Sequence, residues 1–321
     1  MSARQRVFVA TAGNDRDGGT STALQPPHAL QPPHALQPPH ALPLADEPIA
    51  AATEGRVLGL PESVWPKIIA PAGVGIAVLV LWEVLVRALQ VPTFILPGPW
   101  LIAQTLVREW GPLSTSLWIT ASISLAALVT AVVIGMVLAI LFTQSKWVET
   151  AFFPYAVVLQ VTPVVAIAPL IIIWADNVNL SLLICAWLVA FFPILSNTTL
   201  GLNSADHNLL NLFRIYGASR WQTLWNLRLP ASMPYFLGGV RISGGLALIG
   251  AVVAEFVAGT GGSSSGLAYQ ILQSGYNLQI PRMFAALALV SLCGIVIFAC
   301  LSLISYLSLR HWHDSAVKTE N

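Results

Sequence analysis

An all-α fold that crosses a membrane with about six helices is predicted by three features: scarce charge, six long apolar runs, and an uneven spread of Lys and Arg between them. Only 9% of the 321 residues are Asp, Glu, Lys or Arg, and 56% are hydrophobic. A soluble domain carries roughly 25% charged residues. A chain this apolar has too little polar surface to face water throughout, so a lipid bilayer is its predicted solvent.

The apolar runs are placed by length, since a helix needs roughly 20 apolar residues to cross a bilayer. The spans are predicted at Ile68–Leu89, Leu117–Phe142, Ala151–Trp174, Leu180–Leu202, Tyr235–Val257 and Met283–Leu309. The third contains Pro163 and Pro169. It is either kinked or two half-helices, because proline interrupts the hydrogen-bond ladder where neighbours or a cavity must satisfy the freed groups.

Orientation follows from the basic residues. With the amino terminus inside, the inner segments hold Arg56, Lys67, Lys146, Arg214, Arg220, Arg228, Arg310 and Lys318, with Arg241 at the inner end of span five. The outer side keeps Arg87, Arg108 and Arg282. Both termini are therefore predicted to be cytoplasmic. Outside, Trp100–Trp110 places Leu101, Ala103, Leu106 and Trp110 at helical spacing, the pattern of an interfacial helix. Gly259–Gly266 (GTGGSSSG) reads as a flexible outer loop, with no Lys-Ser/Thr to make it a phosphate loop.

Residues 1–60 are predicted to be a disordered tail. Residues 23–40 repeat ALQPPH three times, ending at His28, His34 and His40. Such low-complexity, proline-rich sequence cannot bury a core. Nothing orders the three histidines as metal ligands, and no apolar run in the first thirty residues suggests a cleavable signal peptide. The transmembrane domain is placed at 61–310 and a short cytoplasmic tail at 311–321. The net charge of +1 gives no reason to expect nucleic acid as a partner. Cys185, Cys293 and Cys300 lie inside apolar runs, with no CxxC pair or nearby His, so they read as packing residues.

The inner loop from Asn203 to Pro230 is too long to be a mere connector. Leu209, Leu212, Phe213 and Tyr216 share one helical face, with Asp206 in the opening turn. Gly217 stands where a left-handed C-terminal cap belongs. Ser219 and Gln222 then form a capping box, Trp221, Leu224 and Trp225 give the second helix its apolar face, and Pro230 closes it. Two short amphipathic helices joined at a glycine are predicted, either packing on lipid or docking another protein.

The residues favour docking. Gly217-Ala218-Ser219-Arg220-Trp221, with Leu227, Leu229 and Pro230, resembles the signature loop of ABC importer permeases. That pattern is Glu-Ala-Ala, three residues, Gly, nine residues, Ile, one residue, Leu-Pro. The opening triplet departs from it, because Asn211-Leu212-Phe213 stands in its place. Trp82-Glu83, Leu96-Pro97-Gly98-Pro99, Thr162-Pro163, Ala168-Pro169-Leu170, Phe191-Phe192-Pro193, Gly239, Arg241 and Val253-Ala254-Glu255 look like the nitrate/sulfonate/taurine-type branch. The resemblance covers residues 66–310.

It implies a pathway formed by two permease copies, two cytoplasmic ATPase subunits that bind the ATP, and an external binding protein that delivers substrate. The loop bearing Asn211, Gly217, Ala218, Ser219, Trp221, Leu229 and Pro230 would be the coupling element seated on the ATPase. This chain would need no cofactor or catalytic group of its own. The run Tyr235–Gly259 looks like a sub-branch that imports vitamins or their precursors, which points to riboflavin or a thiamine-type pyrimidine, with sulfonates or nitrate next.

Polar groups inside spans are costly, on the order of 2.5–3.5 kcal/mol for a charge on insertion scales. Glu255 continues a stripe of small residues, Gly239, Ser243, Ala247 and Ala251, so it extends a protein-facing seam. It either gates the outer end of the pathway or anchors a helix pair. Glu83 and Arg87, one turn apart, read as an intrahelical ion pair. Gln160, Thr162 and Asn197 either line a substrate path or hydrogen-bond between helices. An ion-coupled secondary transporter would want more intramembrane acids or histidines and an internal repeat. An intramembrane enzyme would want a Ser/His or HExxH arrangement, which the spans lack.

Overall fold

The computed structural model describes residues 64–259 and 265–310. The ALQPPH repeat, most of the GTGGSSSG run and the last eleven residues, 311–321, lie outside the described residues. Among the described residues every regular element is helical: α1 (Val64–Ala88), α2 (Pro99–Arg108), α3 (Trp110–Gln144), α4 (Lys146–Val161), α5 (Val164–Ala175) and α6 (Val178–Asn203). Then come α7 (His207–Ile215), α8 (Arg220–Thr223), a π-helical turn (Leu224–Arg228), α9 (Leu229–Ala258), α10 (Leu267–Tyr276) and α11 (Ile280–Leu309). Five stretches are long and apolar enough to cross a membrane, or six if α4 and α5 count as one broken span.

The third predicted span is two half-helices. α4 and α5 meet at 99°. Thr162 is extended (φ −66°, ψ 121°) because the ring of Pro163 disfavours a helical backbone before it. Aromatic contacts hold α4 in place: Phe153 lies 6.5 Å from Phe142 of α3 and 6.1 Å from Phe192 of α6 between ring centres.

α3, α6 and α9 form the centre of the bundle. Small residues let α6 and α9 approach closely. A Cβ on Gly250 would stand 2.8 Å from Cα of Ala186, and one on Gly239 would stand 2.9 Å from the Pro193 carbonyl oxygen. Likewise Gly135 brings α3 against Ile194 of α6. The stripe Gly239, Ser243, Ala247, Ala251, Glu255 is buried throughout, and Ser243 Oγ donates to the Ala190 carbonyl at 2.6 Å. By contrast α1 lies at the rim, where Val86 is the buried residue among its described side chains.

Two expectations are corrected. Pro230 does not close a helix, since α8, the π turn and α9 run as one continuous element from Arg220 to Ala258. A proline lacks the N–H for its helical bond and clashes with the carbonyl four residues back. The π turn ahead of it absorbs this, with the Leu229 N–H bonding five residues back to Leu224 O. Leu224 is also fully buried, so it belongs to the bundle core and not to an exposed face with Trp221 and Trp225.

At the far end of the bundle lies an element that the sequence did not announce. Beyond the GTGGSSSG run the chain forms the ten-residue helix α10 before the last span begins. α10 and the earlier short helix α2 pack with α3 and α11 around a shared cluster of Ile102, Leu113, Leu267, Ala285, Ala286 and Leu289.

Candidate functional site

At one end of the bundle α7 and α8 project as a pair. Asp206 caps α7 by accepting from Asn208 N at 2.7 Å. The helix ends at Gly217, whose φ of +69° is the left-handed geometry that favours glycine. Ala218 N closes the turn by donating to Phe213 O at 2.9 Å. Gln222 N then donates to Ser219 Oγ at 3.2 Å, and Ser219 N donates to Gln222 Oε1 at 2.7 Å. This capping box starts the second helix in a fixed direction.

With Leu224 held in the core, Trp221 (61% exposed), Trp225 (65%), Ile215 (82%) and Tyr216 (81%) face outward. Asn211, Gly217 and Ser219 are exposed, while Ala218, Leu229 and Pro230 are half-buried. These exposed apolar and aromatic side chains suit either of the two uses that the sequence left open, contact with lipid or contact with another protein.

The opposite end is built on Glu255, which is 3% exposed. Its carboxylate accepts from Thr120 Oγ1 of α3 at 2.8 Å and from Ala268 N of α10 at 3.0 Å. Thr120 Oγ1 in turn accepts from Leu267 N at 2.8 Å. Two of the N–H groups left unpaired in the first turn of α10 are thus satisfied by side chains of two other helices. Gly266 makes room, since a Cβ there would collide with the Glu255 carboxylate. A polar chain continues alongside: Gln270 Nε2 donates to Ser116 Oγ at 3.1 Å, Arg282 Nη2 donates to Gln270 Oε1 at 2.9 Å, and Arg282 pairs with Glu109 at 2.9 Å.

The same device recurs nearby. Glu83 pairs with Arg87 at 2.6 Å, and its other oxygen accepts from Trp100 N at 3.1 Å in the first turn of α2. Gly98 leaves space for that carboxylate as Gly266 does for Glu255.

Of the remaining pathway candidates, Asn197 lies against the inner end of the stripe, where a Cβ on Gly239 would stand 3.0 Å from the Asn197 Cβ. Gln160 is exposed near the end of α4. Thr162 Oγ1 donates to Val158 O at 2.7 Å, and Asn197 Nδ2 donates to Pro193 O at 2.8 Å, each within its own helical segment. Among the described residues none of the three hydrogen-bonds to Glu255. Sequence reasoning missed Thr120, Gly266, Ser116 and Gln270. The one local signal was a glycine directly before a short amphipathic stretch, both at Gly98 and at Gly266.

The helical bundle thus carries a paired-helix surface at one end and buried polar anchors at the other. A solved amino acid ABC transporter shares the fold, with a TM-score of 0.53 and 17% identity over 63% of this chain and 96% of that one. Residues 131–314 match the family described as "Binding-protein-dependent transport system inner membrane component". The chain belongs to that family and is the permease subunit of an ABC importer. It is similar to the riboflavin transport system permease of Chloroflexus aurantiacus, 36% identical over 265 residues, covering 81% of this chain and 96% of that one. The formylaminopyrimidine transport permease of Halalkalibacterium halodurans is 33% identical over 224 residues, covering 70% and 88%. The aliphatic sulfonate permease of Bacillus subtilis is 34% identical over 166 residues, covering 52% and 56%. Membership makes this chain a membrane-embedded transport component with ATPase and binding-protein partners in general.

Proposed function

We propose that two copies of this chain form the pathway, with the Gly217 end facing the cytoplasm and two ATPase subunits docked there. The observation that carries this reading is the exposed pair α7–α8, rigidly aimed by the Gly217 turn and the Ser219 capping box. A loop that only connected two spans would have no need to fix the direction of an aromatic face. The orientation rests on charge: Lys146, Arg214, Arg220, Arg228 and Arg310 fall at the Gly217 end, against Arg87, Arg108 and Arg282 at the other. Both termini then lie inside. ATP is bound and hydrolysed by the partner, and this chain holds no cofactor.

The substrate is a small heterocycle, riboflavin or a thiamine-type pyrimidine, brought by an external binding protein. The names of two similar permeases and the run Tyr235–Gly259 support this choice. Glu255 controls the outer end of the pathway through its hold on α10, while Gln160, Thr162 and Asn197 line the route between the copies.

The test is reconstitution of the permease with its ATPase and binding protein in vesicles. Riboflavin or formylaminopyrimidine should stimulate ATP hydrolysis and accumulate inside only with ATP. Stimulation by a sulfonate or nitrate alone would overturn the substrate. Uptake driven by an ion gradient without ATP would overturn the mechanism.

A further inference from the structure

Behind the Gly217 turn lies a cavity of about 510 Å³, bounded by Gln144 at the end of α3, by Gly217, and by Arg214, Arg220 and Arg228. The three arginines come from three different pieces of chain, α7, α8 and the π turn, so the fold gathers them. From His207 to Pro230 there is no Asp or Glu. Asp206, just before, accepts from the Asn208 N–H, and Lys146 is paired with Glu149 at 2.9 Å. Among the described residues none of the three guanidinium groups has a hydrogen bond or an ion pair. Three uncompensated cations around one concavity form an anion site, and guanidinium groups bind carboxylates with paired hydrogen bonds.

We infer that this cup receives carboxylate side chains of the ATPase subunit. The inference rests on the reading of α7–α8 as the ATPase contact, and it names the chemistry of that contact. Trp221, Trp225 and Tyr216 stand exposed on the same two-helix unit. Arginine among exposed Trp and Tyr is the composition of protein interface hot spots. Within the loop the only complement to the positive charge must come from outside it. The partner surface is therefore acidic at its centre and apolar around it.

The experiment uses the full permease co-expressed with its ATPase subunit in membranes. Arg214→Lys, Arg220→Lys and Arg228→Lys each keep the charge and place a primary amine in the cup. A water-soluble carbodiimide joins amines to touching carboxylates and leaves guanidinium groups unreacted. Each variant should give a permease–ATPase adduct above the wild-type background, mapping the new lysine to an Asp or Glu of the ATPase. Replacing all three by Gln should weaken ATPase binding by about tenfold or more and flatten its salt dependence. Tyr216→Cys, crosslinked through a thiol reagent, reports loop contact independently of charge. A Tyr216 crosslink without any carbodiimide adduct overturns the carboxylate assignment and leaves the docking surface standing. Loss of both overturns both. Adducts confined to Asp314 or Glu320 of the chain's own tail also overturn the inference. So does ATPase binding by the Gln variant that is normal but no longer depends on anionic phospholipid.

Discussion

Thr120 and Glu255, 135 residues apart, share a buried hydrogen bond of 2.8 Å, and each also holds one backbone N–H of α10. The pair ties α3 and α9 to the helix that precedes the last span. A carboxylate with two oxygens suits this place because it accepts two bonds and donates none. Glu255→Gln keeps the shape but turns one acceptor into a donor. A buried group left unpaired costs about 1–3 kcal/mol. The variant should lose thermal stability in detergent, and hydrogen exchange should quicken first at Leu267–Gln270. Thr120→Val should behave alike. If Glu255 also controls the outer end, uptake or basal ATP hydrolysis should change at unchanged membrane abundance. Normal transport by the surviving Glu255→Gln molecules would make it an anchor alone.

Gly266 and Gly98 make a paired test of the space left for carboxylates. A Cβ at Gly266 collides with Glu255, which is almost fully buried and held on both oxygens. A Cβ at Gly98 would stand 2.6 Å from Glu83 Oε2, but that side chain is half-buried at the rim, so moving it gives up the Trp100 N–H bond without disturbing a packed core. Gly266→Ala should therefore cost about 1–3 kcal/mol, the scale of overpacking a core, and Gly98→Ala clearly less. Adding Glu255→Asp to Gly266→Ala withdraws the carboxylate by one methylene. The double variant should be more stable than the sum of the two single changes, a coupling measured by a double-mutant cycle. Equal costs at the two glycines would contradict this account.

The apolar runs made the spans legible, but their ends were not. α3 begins at Trp110, seven residues before the predicted Leu117, because a helix continues to satisfy its own backbone after its sequence turns polar. At about 1.5 Å per residue its 35 residues run about 52 Å, well beyond the hydrocarbon layer of about 30 Å. The Ser219–Gln222 capping box was legible because both partners are three residues apart. α10 was not, because the groups that cap its first turn, Thr120 and Glu255, arrive from other helices and leave no local start signal. Pro230 misled for the opposite reason: the local rule is sound, but the π turn at Leu224–Arg228 absorbs the proline. The arginine cup is invisible in one dimension, since its walls come from four elements.

Residues 1–58 should be dispensable for insertion and uptake. The ALQPPH repeat cannot bury a core. A truncated chain that expresses normally but fails to assemble with the ATPase would assign the repeat a role in assembly.

Gly217 and Trp221 separate the aim of the proposed coupling surface from its grip. Gly217 has φ +69° and open space where a Cβ would stand, so a side chain there meets backbone strain and no clash. Gly217→Val should strain the turn by roughly 1–3 kcal/mol and redirect α8. Trp221 is 61% exposed, so Trp221→Ala should leave the permease itself as stable as wild type. Removing a large aromatic anchor from an interface commonly costs about 2 kcal/mol or more in binding. Both variants should insert, because the spans are untouched, and both should lose substrate-stimulated ATP hydrolysis and recover less ATPase subunit. Ser219 is a poor position for a crosslinking cysteine, since its hydroxyl caps α8. Tyr216 is 81% exposed and outside the box, which makes Tyr216→Cys the better probe. Wild-type ATPase recovery in both variants, with no crosslink from position 216, would remove α7–α8 as the coupling element.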